Sequence, residues 1–169
     1  MTGRPGAGRT KTSCYDKAAE LLSRRWHFRA ELNGKLSRRG YCETEINSVL
    51  ERLARAGLLD DDRCAAELIR ERRRRGAGRR RLAADLARRG LDDEAIARHL
   101  EALDPEDELR LARRVAAKWC SSRGSRGLER QALARHLDRK GFGKSVILAI
   151  LDELNACGGS LPETELTEE

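Results

Sequence analysis

The sequence predicts an all-α protein made of three tandem three-helix repeats that form an elongated, curved array. A recurring unit is the first observation behind this. Leu32 to Tyr41 aligns with Leu82 to Leu91 and with Leu133 to Phe142; each runs Leu-x-x-x-Leu, two basic residues (Arg38/Arg39, Arg88/Arg89, Arg139/Lys140), a glycine at 40, 90 or 141, and an apolar residue. Ile46, Ile96 and Ile147 correspond further on, as do Leu50, Leu100 and Leu151, and Leu53, Leu103 and Leu154, at offsets of 50 and then 51 residues. A period of that length marks stacked supersecondary units. Second, apolar residues recur at helical spacing and nothing reads as a strand. Third, charged residues fill 37% of the 169 positions, against about 25% in ordinary domains, which leaves few for a thick spherical core.

The elements follow in order. Residues 1–14, rich in Gly, Arg and Thr and lacking the apolar stretch of a signal peptide, read as a disordered basic arm. Repeat 1 is expected over 15–59. Its first helix covers Asp16 to Arg25, its second carries Leu32 and Leu36 and stops at Gly40, and its third carries Ile46, Val49, Leu50 and Leu53. A glycine such as Gly40 takes the left-handed conformation that ends a helix, and the apolar residue after it folds back onto the last turn. Repeat 2 is expected over 60–103, after the stop at Gly57 and the acids Asp60, Asp61 and Asp62, with a helix from Asp62 to Arg74 and Asp92 as an N-cap. Repeat 3 is expected over 104–156, opened by Asp104-Pro105-Glu106, which supplies a cap, a first-position proline and a dipole-matched acid. Residues 157–169 read as an acidic disordered tail.

Charge is unevenly spread. The net charge is +7, but 158–169 holds four acids and no base, so residues 1–157 carry +11, a body that attracts polyanions. The middle helices with their lead-in turns are net basic (+3, +4 and +2), whereas the third helices are net acidic (−1, −3 and −1). The densest run holds Arg70, Arg72, Arg73, Arg74, Arg75, Arg79, Arg80 and Arg81 around Glu71 and the flexible-looking Gly76-Ala77-Gly78. Arginine suits phosphates and carboxylates because its planar fork donates two parallel hydrogen bonds. Together with Arg38, Arg39, Arg88, Arg89, Arg139 and Lys140, these are the candidate residues for binding a partner or nucleic acid.

Other chemistry is not legible. Gly143-Lys144-Ser145 resembles the end of a phosphate-binding loop, but the required first glycine falls on Asp138 and no strand precedes it. His27, His99 and His136 have no second ligand at metal spacing and read as helix-surface imidazoles. Five widely spaced cysteines, never in a C-x-x-C pair, suit reduced thiols of the cytoplasm. With no apolar run long enough for a membrane and no catalytic constellation, the expectation is a soluble, cytoplasmic non-enzyme without cofactor, metal or small-molecule substrate. Two readings compete: a modulator of a nucleoprotein assembly, and a helix-turn-helix-like DNA-binding repressor. The second would turn acidic helices toward phosphates, which is unfavourable.

Leu58-Leu59-Asp60-Asp61-Asp62-Arg63-Cys64-Ala65, the Arg-rich helix, and Gly78-x-x-x-Leu82-x-x-x-Leu86-x-x-Arg89-Gly90-Leu91 resemble the central signature of RecX proteins, bacterial regulators of the RecA recombinase. Leu21-Leu22-Ser23-Arg24-Arg25 and Glu31-Leu32-x-x-Lys35-Leu36-x-x-x-Gly40-Tyr41 resemble the preceding module, and the likeness weakens in the third. Cys64 stands where the family usually has Phe, and Phe28 where a small capping residue is usual, a change that weakens a helix start by about 1 kcal/mol. The resemblance implies binding to a RecA filament on single-stranded DNA and inhibition of strand exchange, ATPase and coprotease activities; the charge partition adds the expectation of weaker, sequence-independent binding to single-stranded DNA itself.

Overall fold

A computed structural model describes residues 12–122 and 130–156. Among these residues there are helices and no strand: α1 (Cys14–Arg24), α2 (Arg29–Ser37), α3 (Glu43–Arg55), α4 (Asp61–Arg74), α5 (Arg79–Ala87), α6 (Asp93–Glu101), α7 (Pro105–Ser121), α8 (Arg130–Lys140) and α9 (Lys144–Ala156). The expected acidic tail, and the basic arm up to residue 11, lie outside the described residues. The chain divides into two units, Met1–Cys64 and Ala65–Glu169.

The glycine stops behave as the repeat requires. Gly40, Gly90 and Gly141 have φ of 81°, 90° and 89°. After each, the next residue's N–H reaches back to the same leucine of the motif: Tyr41 to Leu36, Leu91 to Leu86, Phe142 to Leu137. This six-to-one bond closes the helix and pulls the following apolar residue against it.

In the first unit, α1, α2 and α3 bury Ala18, Leu21, Leu32, Leu36, Ile46, Leu50 and Leu53 together, with Cys14 and Leu59 closing the ends. The expected weak start of α2 is met from a distance. Phe28 offers no side-chain cap and is itself buried, but Asp61 at the start of α4 accepts the Arg29 N–H at 2.7 Å. Burial raises the Asp61 carboxyl above the usual aspartate range, outweighing the stabilisation its charge receives from that N–H and from Arg29. Cys64 fills the neighbouring space, its thiol reaching the His27 carbonyl at 3.5 Å and pushed up to about 11 by burial.

His27 departs from the expected surface imidazole: it lies in the α1–α2 turn and is buried. Its Nδ1 meets the Arg25 carbonyl at 2.9 Å and its Nε2 meets Lys35 Nζ at 2.7 Å. An ammonium only donates, so Nε2 accepts, Nδ1 carries the hydrogen, and the ring is neutral. Desolvation lowers its pKa from 6.5, and the charges of Arg25 and Lys35 act in the same direction.

In the second unit, α7, α8 and α9 pack around Leu111, Ala116, Trp119, Leu133, Leu137, Phe142, Ile150 and Leu154. Arg113 clamps Glu153 with two hydrogen bonds of 2.8 and 2.7 Å. As expected, Asp104 caps α7 through the Glu106 N–H, and Asp92 caps α6 through the Ala95 N–H. The α4–α6 part of this unit buries a smaller apolar set, including Leu68, Ile69, Leu82, Leu86 and Ile96, and adds Asp85, only 3% exposed.

Candidate functional site

The Gly76–Gly78 loop, expected to be flexible, is packed in place. A Cβ on Gly78 would lie 2.6 Å from the Gly141 carbonyl, and one on Gly141 would lie 2.4 Å from the Arg81 nitrogen, so the two backbones touch where neither has a side chain. Across this contact the Gly78 N–H donates to the Lys140 carbonyl and the Arg80 N–H to the Gly141 carbonyl, both at 2.9 Å. The unpaired donors at the start of α5 thus satisfy unpaired acceptors at the end of α8, with the two helix dipoles head to tail. Arg80 adds an ion pair to Asp138 at 2.6 Å.

This join brings α4, α5 and α8 together around a cleft of about 200 Å³ lined by Arg72, Arg75, Ala77, Arg81, Arg139 and Lys140. Five of the candidate basic residues therefore converge, from helix ends far apart in sequence. Arg75 is 67% exposed and paired with Glu71 only across its own helix, so its guanidinium is available to an outside anion. Lys140 Nζ rests 3.4 Å from the Arg75 carbonyl.

Buried acids hold several members of the set in place, Arg72 and Arg81 of the cleft among them. Asp85 takes Arg72 Nε at 3.1 Å, Arg88 at 3.1 Å and Arg81 at 3.7 Å. Glu108, 3% exposed, accepts Arg73 at 2.7 Å and the Arg79 N–H at 2.9 Å, while the Arg79 guanidinium bonds the Leu103 carbonyl. Arg70 pairs with Glu67 on its own helix, Arg74 is exposed, and Arg89 is engaged elsewhere; none of them lines the cleft. Arg38 and Arg39 belong to the first unit, where Arg39 donates to the Lys35 carbonyl. In the net charge of α5 and its flanks Asp85 is a single negative charge, and its burial does not show there. Its signal was positional: Asp85 shares the buried face of α5 with Leu82 and Leu86, as Glu108 shares that of α7 with Leu111 and Ala112.

A cleft lined by guanidinium and ammonium groups suits phosphates or carboxylates. No acid lines it, and no group of His, Cys, Asp or Glu able to hold a metal occurs among the described residues. The described cysteines, 14, 42, 64 and 120, are free thiols; Cys157 lies outside the described residues. No helix among the described residues is long and apolar enough to cross a membrane.

Comparison with known proteins agrees with this architecture. Residues 14–53 match the first three-helix domain of RecX and residues 60–100 the second. A regulatory protein RecX of Mycobacterium sp. (strain JLS) is 38% identical over 138 residues, covering 78% of this chain and 75% of that protein. One from Halorhodospira halophila is 44% identical over 95 residues, covering 56% of this chain and 59% of that protein. Among solved structures, RecX from Lactobacillus salivarius shares the fold with a TM-score of 0.76 at 21% identity, over 85% of this chain and 95% of that one. The two matched three-helix domains and the 38% identity over most of a regulatory protein RecX show that the chain belongs to the RecX family of regulatory proteins.

Proposed function

We propose that this chain binds a RecA recombinase filament on single-stranded DNA and inhibits its recombinase, ATPase and coprotease activities, so regulating recombination and DNA repair in the cytoplasm. It acts by occupying a surface and carries out no catalysis. The observation that carries this reading is the cleft of Arg72, Arg75, Arg81, Arg139 and Lys140, five cations beside a backbone join too close to admit a side chain at Gly78 or Gly141. Such a cleft suits one stretch of phosphate backbone or an acidic patch on a filament protomer, and it supports weaker, sequence-independent binding to single-stranded DNA alone.

The test is the DNA-dependent ATPase of the cognate recombinase with added protein. The wild-type chain lowers the rate, and the double variant Arg75→Ala, Arg139→Ala loses most of that inhibition while staying folded. No effect of the wild type at stoichiometric excess would return the chain to a general nucleic-acid binder. Strong preference for a single duplex operator would favour the repressor reading.

A further inference from the structure

The first unit carries a second groove of a different character. Leu22, Trp26 and Leu58 form its apolar part, and Arg24 and Arg25 lie along it, enclosing about 500 Å³. Trp26 and Leu58 are 44% and 48% exposed, whereas the neighbouring Phe28 and Leu59 are buried. Trp26 is also held. The Arg63 guanidinium lies 4.3 Å from its ring centroid, and Arg25 donates to its carbonyl at 3.2 Å. Arg25 is itself fixed by Glu31. The exposed indole is therefore a preset surface, with one cation against the ring and two more at the rim.

We propose that this groove is a stacking site for an unpaired base of single-stranded nucleic acid, with Trp26 as the platform and Arg24 holding the adjoining phosphate; this rests on the reading of the chain as a partner of single-stranded DNA. Charge complementarity selects this occupant. Binding a single strand without sequence preference needs an aromatic face for the base and a positive rim for the backbone, and each base offers a flat π surface that an indole accepts. A bound base covers the exposed ring and Leu58 at no cost to the core, because both already lie outside it. Arg24 is anchored only by Glu20, four residues earlier on the same exposed helix face, at 2.8 Å, a pair that gives way readily to a phosphate.

The experiment compares a labelled oligothymidylate with an abasic oligodeoxynucleotide of the same length, which keeps the phosphates and removes the bases. The wild type should hold the thymidylate about tenfold more tightly, within the range of one stacked base. Trp26→Ala should erase that difference and Trp26→Phe restore most of it. In a Trp119→Phe background, indole emission should be quenched by the thymidylate and not by the abasic strand. Equal affinity of the wild type for the two strands overturns the proposal. In that case abasic binding that still depends on Arg75 and Arg139 leaves the cleft reading standing, whereas no binding of either strand overturns both. An unchanged base preference in Trp26→Ala, together with lost inhibition of the recombinase, assigns the groove to a protein side chain and also overturns it.

Discussion

Within the second unit, α7–α9 and α4–α6 follow one helix plan with different interiors. In α7–α9 large apolar side chains meet at the centre, with Phe142, Leu137 and Ile150 fully enclosed, and the Arg113–Glu153 clamp lies toward the solvent. In α4–α6 the apolar set is thinner and the interior holds Asp85, while Glu108 from the start of α7 reaches Arg73 and the start of α5. A buried ion pair adds little net stability over an apolar pair of the same volume, but losing one partner strands a charge. The basic surface of the second unit therefore divides by depth. Arg73 and Arg79 are tied to Glu108 and the Leu103 carbonyl, Arg75 and Arg139 are exposed, and Arg72 and Arg81 both pair with Asp85 and line the cleft.

Variants on each side of this division can break it. The largest expected loss is Glu108→Ala, which strands Arg73 and the Arg79 N–H and should cost about 3–5 kcal/mol in urea unfolding, as much as a Leu137→Ala cavity at about 2–5 kcal/mol. A loss well below 1 kcal/mol would show that the carboxylate is dispensable and the comparison mistaken. Gly141→Ala should follow at about 2 kcal/mol or more, with fast hydrogen exchange at the Gly78 and Arg80 amides, because it combines a left-handed backbone with a collision. Gly40→Ala should cost only about 1 kcal/mol, since nothing lies within 4 Å of its added Cβ. Similar losses at the two glycines would mean that the join with α5 does not constrain Gly141.

Smaller effects sharpen the division. Arg73→Ala should destabilise by about 1–3 kcal/mol through the unpaired Glu108, and Arg75→Ala by no more than about 0.5 kcal/mol. Binding should reverse this order: loss of Arg75 lowers affinity for single-stranded DNA and flattens the log–log salt dependence by about 0.7 per phosphate contact removed. In the first unit, His27 binds a proton less readily folded than unfolded. Its contribution to stability is thus present above about pH 6.5, the ordinary imidazole value, and declines as pH falls below it. The urea midpoint should drop between pH 7.5 and 5.5, and His27→Gln should flatten that drop; an equal slope in the variant would remove His27 as its source.

The first unit shows why some of this was legible in advance and some was not. Leu32, Leu36, Ile46, Leu50 and Leu53 announced their helices by spacing, and all five are buried. Phe28 was readable as a poor cap, but its substitute, Asp61, comes from another helix, and no local pattern names it. His27 reads as a helix-surface imidazole, because nothing in the local pattern shows that Lys35 and the Arg25 carbonyl meet its two nitrogens. The cleft follows the same rule: its arginines were identifiable by type, and the five that converge were not distinguishable from the nine other candidates by sequence.

Helices, their glycine stops, the repeat and the abundance of positive charge are all present in the order of the residues. The helices and their stops are written in residues within about one or two turns of each other, where backbone hydrogen bonding and side-chain spacing act, and the repeat is that local pattern recurring. Only the tertiary structure decided which charges are spent inside and which face outward. That choice depends on Gly78 meeting Gly141, on Asp85 turning inward beneath three arginines, and on Glu108 reaching α4 and α5. The energy of a charge is set by the distance to its partner and by its access to water, and neither quantity exists until the chain has folded.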